Sequence, residues 1–246
     1  MSDAVDAVVD LVRAHRARSD TPTVVGIAGA VAVGKSLFAE QTRSALTALP
    51  GAGCVEIVAT DGFLLSNAVL AERGLLMRKG FPESYDTASL RDFASAVRAG
   101  AGPLHVPVYS HEVYDILPGA VRELGPVDVV IIEGVNALSA LPDLLDVAVY
   151  LDADAGDIEA WYVTRFHELR SAARDDPNSF YRGLVAMTDD DADAIARQVW
   201  REVNAVNLRE HIEPSRRHAH CIVAKAADHT VRSVILRSPE GDQRAF

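Results

Sequence analysis

The hydrophobic positions of the chain form short apolar runs that alternate with helix-like stretches. The runs predict five strands, at 23–29, 54–60, 127–134, 146–153 and 220–226. Between most of them, apolar residues recur at intervals of three or four, which predicts helices at 35–49, 88–99, 156–173 and 189–208. Strands with apolar interiors that alternate with helices are typical of a parallel sheet covered on both faces. We therefore predict an α/β fold of three layers around a mostly parallel central sheet.

The first twenty residues have the pattern of an amphipathic helix. Apolar residues fall on one side of residues 4–18, and acidic residues stand where a secretion signal needs positive charge. The apolar run at 127–132 is interrupted by Asp128 and is too short to span a bilayer. We expect a cytoplasmic protein with no membrane partner, in which residues 1–20 form a helix and residues 21–246 form the core of a single domain.

One turn carries a glycine-rich motif, GAVAVGKS, between a predicted strand and a predicted helix. The glycines of such a loop let backbone N–H groups face phosphate oxygens, and the start of the helix adds partial positive charge. Its lysine reaches the β- and γ-phosphates, and its serine hydroxyl binds Mg²⁺. We predict a P-loop NTPase fold that binds ATP and Mg²⁺ through Gly29, Ala30, Val31, Ala32, Val33, Gly34, Lys35 and Ser36.

Two carboxylates stand where predicted strands end. Asp61 follows the strand at 54–60, and Glu133 ends the apolar part of the strand at 127–134. Ligands of open α/β sheets bind at the carboxyl ends of the strands. We predict that Glu133 holds Mg²⁺ together with Ser36 and that Asp61 takes the proton from an acceptor hydroxyl. The chain is thus predicted to transfer a phosphoryl group to a small molecule.

The charge balance bears on the partner. Lys and Arg number 24 against 35 Asp and Glu, a formal net charge of −11. A surface of this sign repels nucleic acid unless a basic patch overrides it, and the sequence has no long basic run. We expect no nucleic-acid partner.

Three further stretches are candidates for the acceptor side. Residues 78–86 and the predicted loop at 107–115 combine charged and aromatic residues, and each is either a structured surface loop or part of a binding site. On the helix predicted at 156–173, Tyr162 and Arg165 share a face, where the arginine points at phosphate or acceptor or forms a surface ion pair.

Phosphoryl transfer requires that water be excluded from the site. We therefore expect a small helical lid, for which residues 78–86 and 171–187 are the candidates.

Eight stretches, in the same order along the chain, resemble the bacterial type I pantothenate kinases. They are GAVAVGKS (29–36), TDGFL (60–64), RKGFPESYD (78–86), PVYSHEVYD (107–115), IIEGVNAL (131–138), WYVTRF (161–166), WREVNAVNL (200–208) and AADHTV (226–231). The resemblance extends from about residue 21 to residue 236.

The resemblance implies transfer of the γ-phosphate of ATP to the primary hydroxyl of pantothenate, the first step of coenzyme A synthesis. It implies catalytic roles for Lys35, Asp61 and Arg165 and a contact between His229 and adenine. It further implies that Mg²⁺ is required, that coenzyme A inhibits and that the protein is a homodimer. Besides Asp61, it implies a substrate pocket formed by Tyr109, His111, Tyr162, Arg165 and Asn204.

The sequence departs from the family at some positions. Leu169 and Leu184 stand where the family has aromatic residues around the acceptor tail and the inhibitor's thiol end, Ser171 replaces a glutamate, and Leu37 replaces a threonine. A kinase of another small hydroxylated metabolite, such as a nucleoside or sugar derivative, therefore stays open as an alternative, as does a nucleotide-binding regulator without catalysis.

Overall fold

The computed structural model describes residues 2–51, 53–237 and 243–245. Its strands are β1 (Thr23–Gly29), β2 (Val55–Ala59), β3 (Leu104–Ser110), β4 (Asp115–Leu124), β5 (Val129–Glu133), β6 (Val147–Ala153), β7 (Cys221–Lys225), β8 (Val231–Arg237) and β9 (Gln243–Ala245). Its α-helices are α1 (Ser2–Arg16), α2 (Lys35–Thr47), α3 (Asn67–Glu72), α4 (Thr87–Arg98), α5 (Ala137–Ala140), α6 (Ala155–Ala172), α7 (Asp189–Val199) and α8 (Ala205–Asn207).

The central sheet confirms the predicted α/β fold. Within the described residues seven strands join in the order β2-β5-β1-β6-β7-β8-β9. The first five are parallel, and β8 and β9 are antiparallel to their neighbours. All five strands predicted from the apolar runs lie in the parallel part, with bounds that differ by at most two residues at either end.

The two faces of the sheet build two cores, because alternate side chains of a strand point to opposite faces. On β1, Val25 and Ile27 pack in a core that also contains the apolar side of α1 and residues of α2. Val24 and Ala28 pack in the other core, which contains residues of α4 and α5. Helices thus cover both faces, as a buried parallel sheet requires.

Three of the α-helices, α3, α4 and α7, begin after a residue whose side chain caps them. The side chain of Asp86 accepts a hydrogen bond from the backbone N–H of Ser89 at the start of α4, and that of Thr188 accepts one from Asp191 at the start of α7. Acidic residues in the first turn of α7 also suit the positive end of the helix dipole.

The prediction of a loop at 107–115 is wrong. Residues 104–124 form a two-stranded antiparallel sheet of β3 and β4, which stands apart from the central sheet. Tyr109 and Ser110 end β3, and residues 111–114 form the turn. The proline at 107 and the polar residues after it suggested a loop, but a proline is tolerated in a strand that pairs on one side only. The register shifts between Pro107 and Tyr109.

The helix predicted at 189–208 is continuous but not uniform. After α7, the segments Trp200–Asn204 and Leu208–Ile212 are π-helical, on either side of α8. Such segments are frequent at functional sites because they reorient side chains within a helix. None of the helices in the described part of the chain is both long and apolar enough to span a bilayer.

Shortening a core side chain should destabilise the fold. Leu138 of α5 is fully buried in the second core. We expect Leu138→Ala to lower the free energy of unfolding by about 2–5 kcal/mol, because it removes buried methyl groups and leaves a cavity. Leu37→Ala is the matched control, since Leu37 is also helical but 57% exposed. Urea titrations of both variants give the comparison, and equal losses would contradict the description of this core.

Candidate active site

The P-loop joins β1 to α2 and has two positions that require glycine. Gly29 has a φ of +150°, and an added Cβ would lie 2.5 Å from the carbonyl oxygen of Leu151. Gly34 has a φ of +88°, and an added Cβ would lie 3.0 Å from Nζ of Lys225. The sharp turn that the motif predicts therefore depends on the absence of side chains. Its backbone enters α2 directly at Lys35.

Lys35 lies among charged groups of both signs. Its Nζ donates a hydrogen bond to the carbonyl oxygen of Ala30, at 2.8 Å. Burial lowers the pKa of Lys35, Glu133 and Asp61 raise it, and Arg165 lowers it further. Lys35 and the three residues Glu133, Asp61 and Arg165, to which the sequence analysis gave separate roles in the reaction, are thus close enough for the other three charges to act on Lys35.

Strand register brings Glu133 to the P-loop. Glu133 pairs with Ile27 of β1 on one side and with Ala59 of β2 on the other. It lies on the same face as Ile131, toward α2, and the Ser36 hydroxyl donates a hydrogen bond to its Oε1 at 2.8 Å. Glu133 is only 8% exposed. The two residues predicted to hold Mg²⁺ are therefore in direct contact.

Asp61 lies just beyond the end of β2, in a 3₁₀ turn of residues Thr60–Phe63. The strand ends at Ala59, one residue earlier than the sequence suggested. The Tyr85 hydroxyl lies 3.5 Å from Oδ1 of Asp61. Burial, and next the charge of Asp61, raise the pKa of Tyr85 well above its usual value, so its O–H stays protonated and can donate to the carboxylate.

Gly134 lets this turn approach β5. A Cβ added at Gly134 would lie 1.8 Å from Oγ1 of Thr60, which is fully buried. The glycine after Glu133 in the sequence therefore has a packing role, because it makes room for the turn that carries Asp61.

A cavity of about 360 Å³ extends from the P-loop into the acceptor side. Every residue proposed for catalysis, for Mg²⁺ and for substrate lines it: Lys35, Ser36, Asp61, Tyr109, His111, Glu133, Tyr162, Arg165 and Asn204. Of the other P-loop residues, Val31 and Ala32 line it as well. Gly29, Ala30, Val33 and Gly34 are not among the lining residues.

The acceptor side is rich in aromatic rings. The ring of Tyr109 lies edge-on to His111 at 5.1 Å and to Tyr114 at 6.3 Å between centroids. Burial raises the pKa of Tyr109 and Tyr114 strongly and that of Tyr162 to about 12. A hydrogen bond with the Asn204 side chain acts in the opposite direction and lowers the pKa of Tyr162. These hydroxyls are therefore neutral donors at physiological pH.

Lys79 is a cavity residue that the sequence reasoning did not select. Its Nζ donates to Oδ1 of Asn67 at 2.7 Å and lies 4.2 Å from the ring centroid of Tyr114 and 5.1 Å from that of Tyr109. Burial lowers its pKa, which Asp115 and Asp61 raise. Its place in RKGFPESYD was the available signal, but nothing in the stretch distinguishes this cation from Arg78, which pairs with Glu83.

Lys225 is a second residue that was missed. It ends β7 with 5% exposure, and its Nζ donates to the carbonyl oxygen of Val33 in the P-loop at 2.9 Å. Burial lowers its pKa. A lysine at the end of an apolar strand was the signal, since an amine is rarely buried without a partner.

His229 lies outside the cavity lining. Its ring stacks on Trp161 with centroids 4.0 Å apart, on the turn between β7 and β8, and its φ is +64°. Burial and the charge of Lys225 lower its pKa. The contact between His229 and adenine stays a prediction.

The positions at which the sequence departs from the family do not all lie at the cavity. Leu169 lines it, whereas Leu184 is not among the lining residues and packs instead beside the small core of α6 and α7. Ser171 is exposed on the far part of α6. Of the two lid candidates, residues 78–86 contribute Lys79, Gly80 and Tyr85 to the lining, and residues 171–187 contribute Phe180 and Tyr181.

The chain is similar to proteins of a known family. The family model for phosphoribulokinases and uridine kinases matches residues 24–176. A pantothenate kinase from Sorangium cellulosum (strain So ce56) is 46% identical over 224 residues, 88% of this chain and 73% of that protein. The chain belongs to this family, in its pantothenate kinase group. The resemblance inferred from the sequence motifs is confirmed.

Other relatives agree. A pantothenate kinase from Paenarthrobacter aurescens (strain TC1) is 43% identical over 229 residues, 88% of this chain and 71% of that protein. Among solved structures, a candidate fructose transport system kinase from Silicibacter sp. TM1040 superposes with a TM-score of 0.67 at 27% identity, over 85% of this chain and 94% of that one. The fold is therefore that of P-loop kinases.

Removing the Lys225 amine should weaken nucleotide binding. Lys225→Met leaves the Val33 carbonyl without this donor, so the P-loop loses a support. We expect ADP affinity to fall about ten-fold, equivalent to about 1.4 kcal/mol. Isothermal titration measures it, with Lys79→Met on the acceptor side as the control, for which we expect less than about a two-fold change. Equal effects of the two substitutions would contradict the role given to Lys225.

Proposed function

We propose that the chain transfers the γ-phosphate of ATP to the primary hydroxyl of pantothenate. The observation that carries the proposal is the continuity of the cavity, which joins Lys35 and Ser36 of the P-loop to Tyr109, Tyr162 and Asn204. The chain also aligns over 88% of its length with proteins named pantothenate kinase. The phosphate donor and the acceptor would thus meet at Asp61.

The phosphate side holds the donor through charge and backbone. Lys35 would exchange its hydrogen bond to the Ala30 carbonyl for phosphate oxygens, and Glu133 and Asp61 oppose the lowering of its pKa by burial. The start of α2 and the P-loop amides add positive potential at the same place. Arg165, which lines the same cavity, would stabilise the charge of the transferred group.

The residues present fit Mg²⁺. The Ser36 hydroxyl and the Glu133 carboxylate are oxygen donors 2.8 Å apart. In the described parts of the chain no cluster of three or more His, Cys, Asp or Glu side chains could hold a metal alone, which suits an ion that keeps water and phosphate oxygens as ligands. When bound, Mg²⁺ neutralises charge on the β- and γ-phosphates.

Asp61 would act as the general base. The acceptor hydroxyl gives its proton to an Asp61 oxygen while its own oxygen forms the new bond to the γ-phosphorus, and the bond to the β-phosphate oxygen breaks to leave ADP. The protonated Tyr85 hydroxyl, 3.5 Å from Oδ1, would orient the carboxylate. Tyr109, His111, Tyr162 and Asn204 would hold the acceptor, a monoanion, beside Arg165.

The remaining expectations rest on the family. His229 would contact adenine, and coenzyme A, which contains an ADP group, would compete with ATP. The protein would be a cytoplasmic homodimer. The apolar wall at Leu169 would change the fit of the acceptor tail without removing its apolar character.

A panel of acceptors tests the proposal. With Mg-ATP, pantothenate should release one ADP per acceptor consumed, and uridine and fructose should give no more ADP than the sample without acceptor. A coupled assay of ADP formation and mass spectrometry of the product measure this. Turnover of a nucleoside or sugar without turnover of pantothenate would favour the alternative kinase.

Substitution of Asp61 separates binding from transfer. Asp61→Asn keeps the shape and removes the base, so we expect kcat to fall about 10²–10⁴-fold. ATP affinity should stay within about two-fold. Asp143→Asn, at an exposed carboxylate paired with Arg91, is the control. An unchanged kcat in Asp61→Asn would remove the base role.

Substitution of Glu133 tests the metal site. Glu133→Gln is isosteric and still accepts from Ser36, but it loses the charge that holds a cation. We expect the Mg²⁺ concentration for half-maximal rate to rise about ten-fold. Rates measured from micromolar to millimolar Mg²⁺ show the shift, and an unaltered Mg²⁺ dependence argues against Glu133 as a ligand.

A further inference from the structure

Arg170 is a buried cation near the end of α6 that none of the proposed steps uses. Its residue is only 6% exposed, although it stands between the cavity residue Leu169 and the exposed Ser171. Arginine is almost never buried to this extent unless its donors are satisfied. The groups that accept its hydrogen bonds therefore indicate the structural role of Arg170.

Within the described residues, the Arg170 guanidinium donates its hydrogen bonds to one segment of the chain, residues 184–189. Its Nε donates to the carbonyl oxygen of Leu184 at 2.9 Å, and its Nη2 donates to that of Met187. Its Nη1 donates to Oδ1 of Asp189, the first residue of α7, at 2.6 Å. Three donors of one rigid fork thus bind three points within six residues, which fixes this segment against α6.

That segment continues directly from one wall of the cavity. Phe180 and Tyr181 line the cavity and belong to the 3₁₀ turn Phe180–Leu184, whose last carbonyl is the one that Arg170 holds. The Phe180 N–H donates to the carbonyl oxygen of Glu112 at 2.9 Å. Its ring stacks on Tyr114 with centroids 4.7 Å apart. The turn therefore bridges α6 and the β3–β4 hairpin over the acceptor side.

The attachment at Phe180 is weak by itself. Phe180 is 57% exposed, and one backbone hydrogen bond and one ring contact join it to the hairpin. The Arg170 guanidinium is buried, and its hydrogen bond to the exposed Asp189 is charge-assisted. The turn has two further attachments: Nη1 of the exposed Arg182 donates to the carbonyl oxygens of Ala173 and Arg174, and the Tyr181 ring lies edge-on to that of Phe166 at 5.8 Å. Of the two arginines Arg170 is the buried one, so its removal should loosen Phe180 and Tyr181 more than removal of Arg182 would.

We propose that Arg170 is a positioning residue of the acceptor site, which holds Phe180 and Tyr181 in place as the outer wall over the bound acceptor. This inference rests on the proposed function in that it takes the outer cavity as the acceptor's place. Arg170 has no contact with the P-loop among the hydrogen bonds of the described residues, so its influence should reach the acceptor and not the nucleotide.

The test is a comparison of Michaelis constants. Arg170→Met removes all donors at similar length, and we expect KM for pantothenate to rise about ten-fold because the wall is no longer pre-organised. KM for ATP should stay within about two-fold. Arg170→Lys, which keeps the charge but has a single donor nitrogen, should recover part of the loss. Equal changes in both constants, or none, would overturn the proposal.

Arg91→Met is the matched control. Arg91 also donates to a carbonyl oxygen, that of Ala140, and to a carboxylate, that of Asp143, but on the α4–α5 side of the sheet. The Arg91→Met variant should leave KM for pantothenate and KM for ATP unchanged. If Arg170→Met does not fold, Asp189→Asn removes only the charged contact at an exposed residue and should raise the KM for pantothenate in the same direction, by a smaller factor.

A second measurement needs no turnover. Chymotrypsin cleaves after aromatic residues, and cleavage after Phe180 and Tyr181, identified by mass spectrometry, should be faster in Arg170→Met than in the wild type or Arg91→Met. An unchanged cleavage rate would refute the anchor. If the wild type phosphorylates another acceptor instead of pantothenate, the proposed function fails, and the same KM comparison with that acceptor tests Arg170 independently.

Discussion

The pairing of β1, β5 and β2 is the constraint on which the site depends. Glu133 is held between Ile27 and Ala59, so the end of each strand is set relative to the other two. A slip of β5 by one residue would turn every side chain to the opposite face. Glu133 would then leave α2 and Ser36 and enter the core that α4 and α5 cover. The packing of apolar residues on both faces thus fixes the position of the carboxylate.

Local charge in the site opposes the charge of the whole chain. The protein carries a net charge of −11, yet both ATP and pantothenate are anions. Lys35, Lys79 and Arg165 line the same cavity, and their positive charges offset the negative charges of Asp61 and Glu133. The tyrosines between them keep their protons because burial raises their pKa values. Specific binding therefore comes from cations and neutral donors concentrated in the cavity.

The sequence was sufficient where local pattern and local chemistry coincide. The P-loop, Glu133 and the parallel strands follow from short apolar runs that end in glycine or a carboxylate. The β3–β4 hairpin does not, because Pro107 and the polar residues around it resemble a loop and its pairing connects residues far apart in sequence. Lys225 and Arg170 were missed for a related reason. Their roles depend on hydrogen bonds to carbonyl oxygens of other segments, and the pattern of side chains along the sequence does not predict such bonds.

The two halves of the site are built differently, and this bears on how the acceptor is chosen. The phosphate side is built around one continuous stretch, the P-loop, whose glycines leave no room for side chains and which Glu133 and Lys225 contact from other strands of the sheet. The acceptor wall is assembled from separate segments, each with its own anchor, such as Asn67 for Lys79 and Arg170 for the turn at 180–184. A substitution in one segment, such as Leu169, can reshape the pocket and leave the P-loop intact. Family membership therefore constrains the phosphate chemistry more tightly than it constrains the shape of the acceptor pocket.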